Sequence, residues 1–244
     1  MTDAGCTHDN SALHDFLHVR GVAVLEIARD WSFETSEIAA AFDRHVREQL
    51  PFYQLATEAV AVVARHYVPQ RGLVYDVGAS TGNVGKALEP VIDDRCARLV
   101  PIEASAEMAA VYDGPQRGNL VLGDALKLEL EPFDLMVCFL TAMFFPVADR
   151  RSFFERSRSL VRPGGAIVVV DKTEPAAGYA ATVMWRMVLS AKVAAGVDHA
   201  EIVAKELSLG GVQRPLDPAV LGPGAVEWFR YGDFAGWLVE GPRS

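Results

Sequence analysis

Residues 74–88 read VYDVGASTGNVGKAL and hold the chain's densest set of groups able to cradle a ligand. An acid, Asp76, stands near the end of an apolar strand. Gly78, Ala79, Ser80 and Gly82 then make a turn, and a helix begins at once. Glycines let backbone approach a ligand closely, and a helix N-terminus presents N–H groups without partners. A dinucleotide fingerprint needs G-x-G-x-x-G, whereas Gly78 and Gly82 enclose Ala-Ser-Thr. That spacing favours a loop around the amino-acid end of a nucleoside-linked methionine over one gripping pyrophosphate. The alternative is a tight strand-to-helix turn that holds nothing.

Two further acids extend the constellation. Glu103 ends the second expected strand, about 20 residues beyond the glycine turn, where a carboxylate accepts from both ribose hydroxyls. Asp124, in LVLGDAL after the third strand, is placed to accept from an adenine amino group. Either acid alone reads as a solvated loop carboxylate. Stations at the ends of three successive strands point to the edge of an open parallel sheet, where ligands bind.

The elements that must position these residues follow from periodicity. Ile38, Phe42, Val46 and Leu50 recur every fourth residue, a helix with Thr35 or Ser36 as N-cap and Pro51 at its end. A second helix is expected over 53–67, stopped by Pro69 and Gly72. Strands then alternate with helices: strands at 73–77, 98–102, 120–122, 133–139 and 166–170, helices at 83–91, 104–112 and 151–161. This order predicts a parallel sheet with helices on both faces. After Asp171 the rhythm changes to helices at 180–195 and 199–207, then a hairpin, 226–231 and 234–239, turning at Gly232-Asp233. The expected fold is therefore α/β: a doubly wound, mostly parallel seven-stranded, Rossmann-like sheet with N-terminal helices and a C-terminal antiparallel hairpin. Residues 1–34 read as a loosely ordered arm and 35–244 as a single domain.

Composition narrows the function. The chain has 244 residues, half of them hydrophobic, and a formal net charge of −9, which would repel a polyphosphate partner. The densest basic stretch, Arg150, Arg151, Arg156, Arg158 and Arg162, has helical spacing and reads as the solvated face of an amphipathic helix. No apolar run reaches membrane-spanning length, and the N-terminus lacks a signal-peptide pattern. Cys6, Cys96 and Cys138 are far apart, with no metal-ligand spacing, and read as reduced thiols in a cytoplasmic protein.

With VYDVGASTG, PIEAS, LGDAL and LVRPGGAIVVVDK, residues 72–171 resemble a class I S-adenosylmethionine (SAM)-dependent methyltransferase. The entry segment AFDRHVREQLPFYQLA and the tail, KVAAGVDHAEIVAKELSL with VEWFRYGDFAGWLV, are similar to the carboxy-SAM synthase family. That family converts SAM to carboxy-SAM with prephenate. The resemblance implies SAM as cofactor, a homodimer, and Tyr53, Gly78, Ala79, Ser80, Glu103, Ala104, Asp124 and Ala125 as SAM contacts; Asp76, Gly82 and Cys138 complete the expected binding set. Two positions depart from the family. Cys138 replaces an asparagine, and Glu206 stands where an arginine grips the extra carboxylate; Lys205 or Arg214 are the available substitutes. A carboxylate facing a carboxylate repels. Methyl transfer to a small-molecule acceptor is thus the leading expectation, with carboxy-SAM synthesis and non-catalytic SAM binding as alternatives. No general base is singled out among Asp171, Glu174, Tyr179 and His199, and Trp185, Met184 and Met187 read as acceptor wall or core.

Overall fold

The computed structural model describes residues 36–174 and 177–242. The expected arm, 1–34, and Thr35 lie outside them, as do the side chains of residues 36–38, so the proposed N-cap is outside the described residues. Two helices come first, α1 (Ser36–Gln49) and α2 (Tyr53–Tyr67). The alternating unit follows: β1 (Leu73–Val77), α3 (Asn83–Asp94), β2 (Arg98–Glu103), α4 (Ala106–Ala110), β3 (Val121–Leu122), β4 (Phe133–Phe139), α5 (Val147–Leu160) and β5 (Val161–Lys172). Helices α6 (Tyr179–Ala194) and α7 (His199–Ser208) precede the hairpin β6 (Val226–Tyr231) and β7 (Phe234–Glu240).

The seven strands form one sheet in the order β3-β2-β1-β4-β5-β7-β6. Pairs from β3 through β5 are parallel, and β7 joins antiparallel to both β5 and β6. Every residue of β1 and β4 is buried, as central parallel strands covered on both faces must be. Alternation divides their side chains between two cores. Val74, Leu135, Val137 and Phe139 pack toward α2 and α3, while Tyr75, Val77, Met136 and Cys138 pack toward α5.

Three expectations shift. Strand β5 begins directly after α5, and Pro163-Gly164-Gly165 lie within it instead of stopping the helix. Phe133 pairs with Val161 but Leu135 pairs with Ala166, so the intervening residues bulge out. Gly164 has φ +79°, and a Cβ on Gly165 would sit 2.4 Å from the Asp134 carbonyl oxygen, so glycine is required there. Helix α5 starts at Val147, four residues before the expected Arg151, with Pro146 at its N-cap. Its buried stripe is Arg150, Phe153, Phe154 and Ser157, so the first basic residue of the supposed solvated face lies inside, 2% exposed. Finally, the helix expected over 104–112 is shorter, Ala106–Ala110.

Candidate active site

At the carboxyl edge of β1, β2, β3 and β4 opens a cavity of about 1020 Å³. Strands end in parallel there, and the connections to their helices curl over the opening. The glycine turn is pulled onto the β2 edge because Gly78 N–H and Ala79 N–H both donate to the Ile102 carbonyl, at 2.9 and 3.0 Å. Gly78, Ser80 and Gly82 all take positive φ: +74°, +52° and +92°. For Ser80 that is a strained conformation, and its Oγ is buried without a partner. Such a group on a cavity wall is poised to hydrogen-bond a ligand.

Glu103 is held on the cavity wall by two backbone donors. One carboxylate oxygen accepts from Ser80 N–H at 2.7 Å and the other from Ser105 N–H at 2.9 Å. A carboxylate offers about four lone-pair sites, so two remain for a ligand. Asp124 accepts from Leu126 N–H at 3.0 Å, pairs with Lys127 at 3.1 Å and lines the same cavity. Tyr53 closes the near side, edge-on to Phe139 with ring centroids 5.4 Å apart. Burial keeps its phenol protonated well above the ordinary range.

Eight of the expected contacts therefore meet around one cavity: Tyr53, Gly78, Ala79, Ser80, Glu103, Ala104, Asp124 and Ala125. Asp76, Gly82 and Cys138 do not line it. Gly82 caps α3 behind the turn, where an added Cβ would lie 2.5 Å from Gly114 N. Cys138 points toward α5 because β4 alternates, and burial raises its thiol pKa well above the usual value. Asp76 is sealed under the N-terminus of α3 with neither carboxylate oxygen in a full hydrogen bond. Burial, aided by the charge of Glu103, pushes its pKa up to about 7; the Gly85 N–H offsets part of this.

Asp76 has a consequence for stability. An unfolded aspartate titrates near about 4, so between about pH 4 and 7 the folded chain binds the extra proton. The contribution of Asp76 to stability is then greatest below pH 4 and falls as pH rises toward 7. Asp76→Asn is expected to raise Tm by several degrees at pH 8 and change it little at pH 4, measured by calorimetry at both values. Equal shifts at the two pH values would contradict this assignment.

Other residues shape the cavity without having been legible beforehand. Thr141 Oγ1 donates toward the Val77 and Phe139 carbonyls, 3.1 and 3.0 Å away, and packs beneath Gly78. A Cβ on Gly78 would lie 2.3 Å from that oxygen. Gly78→Ala should cost about 1–3 kcal/mol, and Thr141→Ala in the same chain should restore part of it, measured by a double-mutant cycle of urea unfolding. Strict additivity would disprove the contact. Arg156 holds the adjoining wall by donating to the Ala125 and Leu126 carbonyls at 2.9 and 3.1 Å. From α1, Asp43 accepts from Thr81 Oγ1 and from Asn83 Nδ2, docking that helix across the turn.

The late-chain candidates scatter. Asp171 is buried in β5, accepting from Met143 N–H at 3.1 Å, and burial pushes its pKa up to about 7. Glu174, Tyr179 and His199 are exposed and line neither this cavity nor the smaller one beside it, whereas Trp185 lines the smaller. Glu206 meets two lysines, Lys192 at 2.9 Å and Lys172 at 3.7 Å. Burial alone would raise its pKa, but the lysines reverse the direction and lower it.

Known proteins share parts of this sequence and its fold. Residues 75–169 match the family model described as a methyltransferase domain. The carboxy-S-adenosyl-L-methionine synthase of Staphylococcus epidermidis is 24% identical over 220 residues, covering 86% of this chain and 96% of the relative. The Shewanella oneidensis protein of the same name is 26% identical over 199 residues, covering 79% and 82%. Among solved structures, DhpI in complex with SAH (S-adenosylhomocysteine) superposes with a TM-score of 0.53 at 18% identity, covering 85% of this chain and 94% of that one. That likeness establishes the fold.

Proposed function

We propose that this chain, which carries a methyltransferase domain on the class I SAM-dependent methyltransferase fold, binds SAM in the 1020 Å³ cavity and transfers its methyl group to a small-molecule acceptor. The observation that carries the reading is Glu103, held by two backbone N–H groups with two lone-pair sites left toward the cavity. These suit the adjacent hydroxyls of a ribose. Asp124 and Ala125 then receive the adenine end, while Gly78, Ala79 and Ser80 surround the methionine end. SAM supplies a methyl group already activated on a sulfonium. The residues mainly orient it and exclude water, which is where proximity effects do most. Phe42, Phe139, Leu140, Phe144 and Phe145 line the cavity and make that exclusion possible.

The relatives' name favours carboxy-SAM synthesis as a second reading. Against it, Glu206 already occupies Lys192 and Lys172, and Cys138 faces the core. Mass spectrometry of the small molecule released from purified protein separates the readings. SAM or SAH supports methyl transfer, and carboxy-SAM overturns it in favour of the synthase.

The finer settings belong to the same proposal. A cytoplasmic protein with no nucleic-acid partner suits the net charge of −9, and no described helix is long and apolar enough to cross a membrane. A homodimer through α6 and α7 is supported by exposed Val183, Trp185, Met187, Val203 and Leu207. Sedimentation equilibrium should return twice the chain mass; a monomer at all concentrations would remove the dimer.

A further inference from the structure

A second chamber of about 120 Å³ lies beyond one wall of the large cavity, and Phe42, Leu140 and Phe144 line both. Leu140 is held at φ +54°, a left-handed conformation that bulky residues rarely adopt. Strain therefore sits at the partition between the two spaces. Helices α1, α6 and α7 and the β6–β7 turn supply the other walls, with Trp185, Leu189 and Phe234 giving them an apolar surface. In volume the chamber approaches the cavity of about 150 Å³ that admits benzene.

Its polar groups are unevenly satisfied. Lys192 and Lys172 pair with Glu206 at 2.9 and 3.7 Å, and Lys172 also lies 3.7 Å from Asp233. The third lysine lining the chamber, Lys205, has its pKa lowered to about 6 by burial and by Lys192, so it adds little positive charge at neutral pH. His45, from α1, is likewise lowered, chiefly by burial. What is left over is acceptors. Gln49 Oε1 and Asp233 Oδ1 are buried without a hydrogen-bond partner, in residues 5% and 6% exposed. The Gln49 amide is oriented by Nε2 donating to Glu201 at 3.0 Å, which assigns the oxygen to the inner side.

We infer that this chamber is the acceptor subsite, and that it takes a small, uncharged, ring-sized molecule bearing hydroxyl groups, whose O–H hydrogens Gln49 and Asp233 accept. Two buried acceptors with no partner are costly and call for donors. A carboxylate would face both acceptors and gain nothing from them, while an ammonium would add a cation beside Lys172 and Lys192. The inference rests on the methyl-transfer reading above. In that reaction the acceptor's hydroxyl oxygen forms a bond to the methyl carbon as the S–CH3 bond breaks. The S–C electron pair stays on sulfur, giving SAH, and the hydroxyl proton passes to solvent.

Calorimetric titration of the full chain saturated with SAH tests this with three probes of one ring size: catechol, benzoate and toluene. Catechol is expected to bind, with toluene and benzoate at least about tenfold weaker for want of the two donated bonds. Gln49→Met should weaken catechol about tenfold while leaving SAH affinity within about twofold. Leu189→Phe, which fills the chamber without touching a polar group, should also abolish catechol binding and guards against misfolding of the first variant. Benzoate binding more tightly than catechol, or no probe binding while SAH still does, would overturn the inference. Loss of SAH binding with catechol binding intact would instead overturn the cofactor reading and leave the chamber's donor preference standing.

Discussion

Glu103→Ala is expected to weaken SAH binding by about 100-fold or more. Each hydrogen bond to an ionised partner contributes about 1.5–3 kcal/mol, so losing two to the ribose removes about 3–6 kcal/mol. The substitution also frees Ser80 N–H and Ser105 N–H, which now orient the carboxylate. Glu103→Gln is the informative partner. Its amide must point an NH2 at one of those backbone donors, so it should recover only part of the affinity despite its matching shape. A side effect provides an independent check. The charge of Glu103 helps raise the Asp76 pKa, so the alanine variant should shift the loss of stability with rising pH toward lower pH. Calorimetric titration with SAH and thermal unfolding against pH measure both. An alanine variant that binds SAH as the parent does would remove Glu103 from the site.

Arg150→Met is expected to cost about 3–5 kcal/mol of stability, more than Gly78→Ala. The guanidinium lies inside, with Nε donating to the Phe145 carbonyl at 3.1 Å and Nη1 to Pro215 at 2.9 Å. Nη2 donates to the carbonyls of Met143 and Arg214 at 3.0 and 2.8 Å. The side chain thus ties the Ala142–Phe144 turn after β4 to the strand-like segment that follows α7. Phe144 and Phe145 line the cavity, so the same substitution should loosen its hydrophobic wall. Arg150→Lys keeps the charge but offers three donors from one nitrogen, too few and too clustered for four carbonyls, and should recover less than half. Urea unfolding of the three chains checks the order. A methionine variant within about 1 kcal/mol of the parent would contradict the clamp.

The legibility of this fold varied with how local its causes are. Strands β1 and β4 and helix α2 were readable to the residue, because each is a continuous periodic run ended by glycine, proline or a polar turn. Strand β5 was read too short, because Pro163-Gly164-Gly165 looks the same whether it stops a helix or bulges within a strand. Only the neighbouring Phe133 and Leu135 decide between them. In the candidate site, the glycine turn, Glu103 and Asp124 line one cavity, as their places at successive strand ends led one to expect. Arg150 and Arg156 could not be expected, since all their partners are backbone carbonyls brought from distant segments, and a carbonyl carries no sequence signature. Gln49 was equally silent: its orphaned oxygen has meaning only beside Asp233 and α6. Asp76 and Cys138 were assigned by position along their strands, but each lies one residue short of the strand end that reaches the cavity, Val77 and Phe139.

The most direct test of the account is a crystal structure of the chain soaked with SAH. The prediction is one nucleoside per chain at the β1–β4 edge, both ribose hydroxyls about 2.6–3.0 Å from the Glu103 carboxylate and the adenine amino group against Asp124. The homocysteine end should lie over Gly78–Ser80, with sulfur facing the Phe42–Leu140–Phe144 partition. Density for SAH elsewhere, or bound with its adenine at the glycine turn and no contact to Glu103, would contradict the central claim.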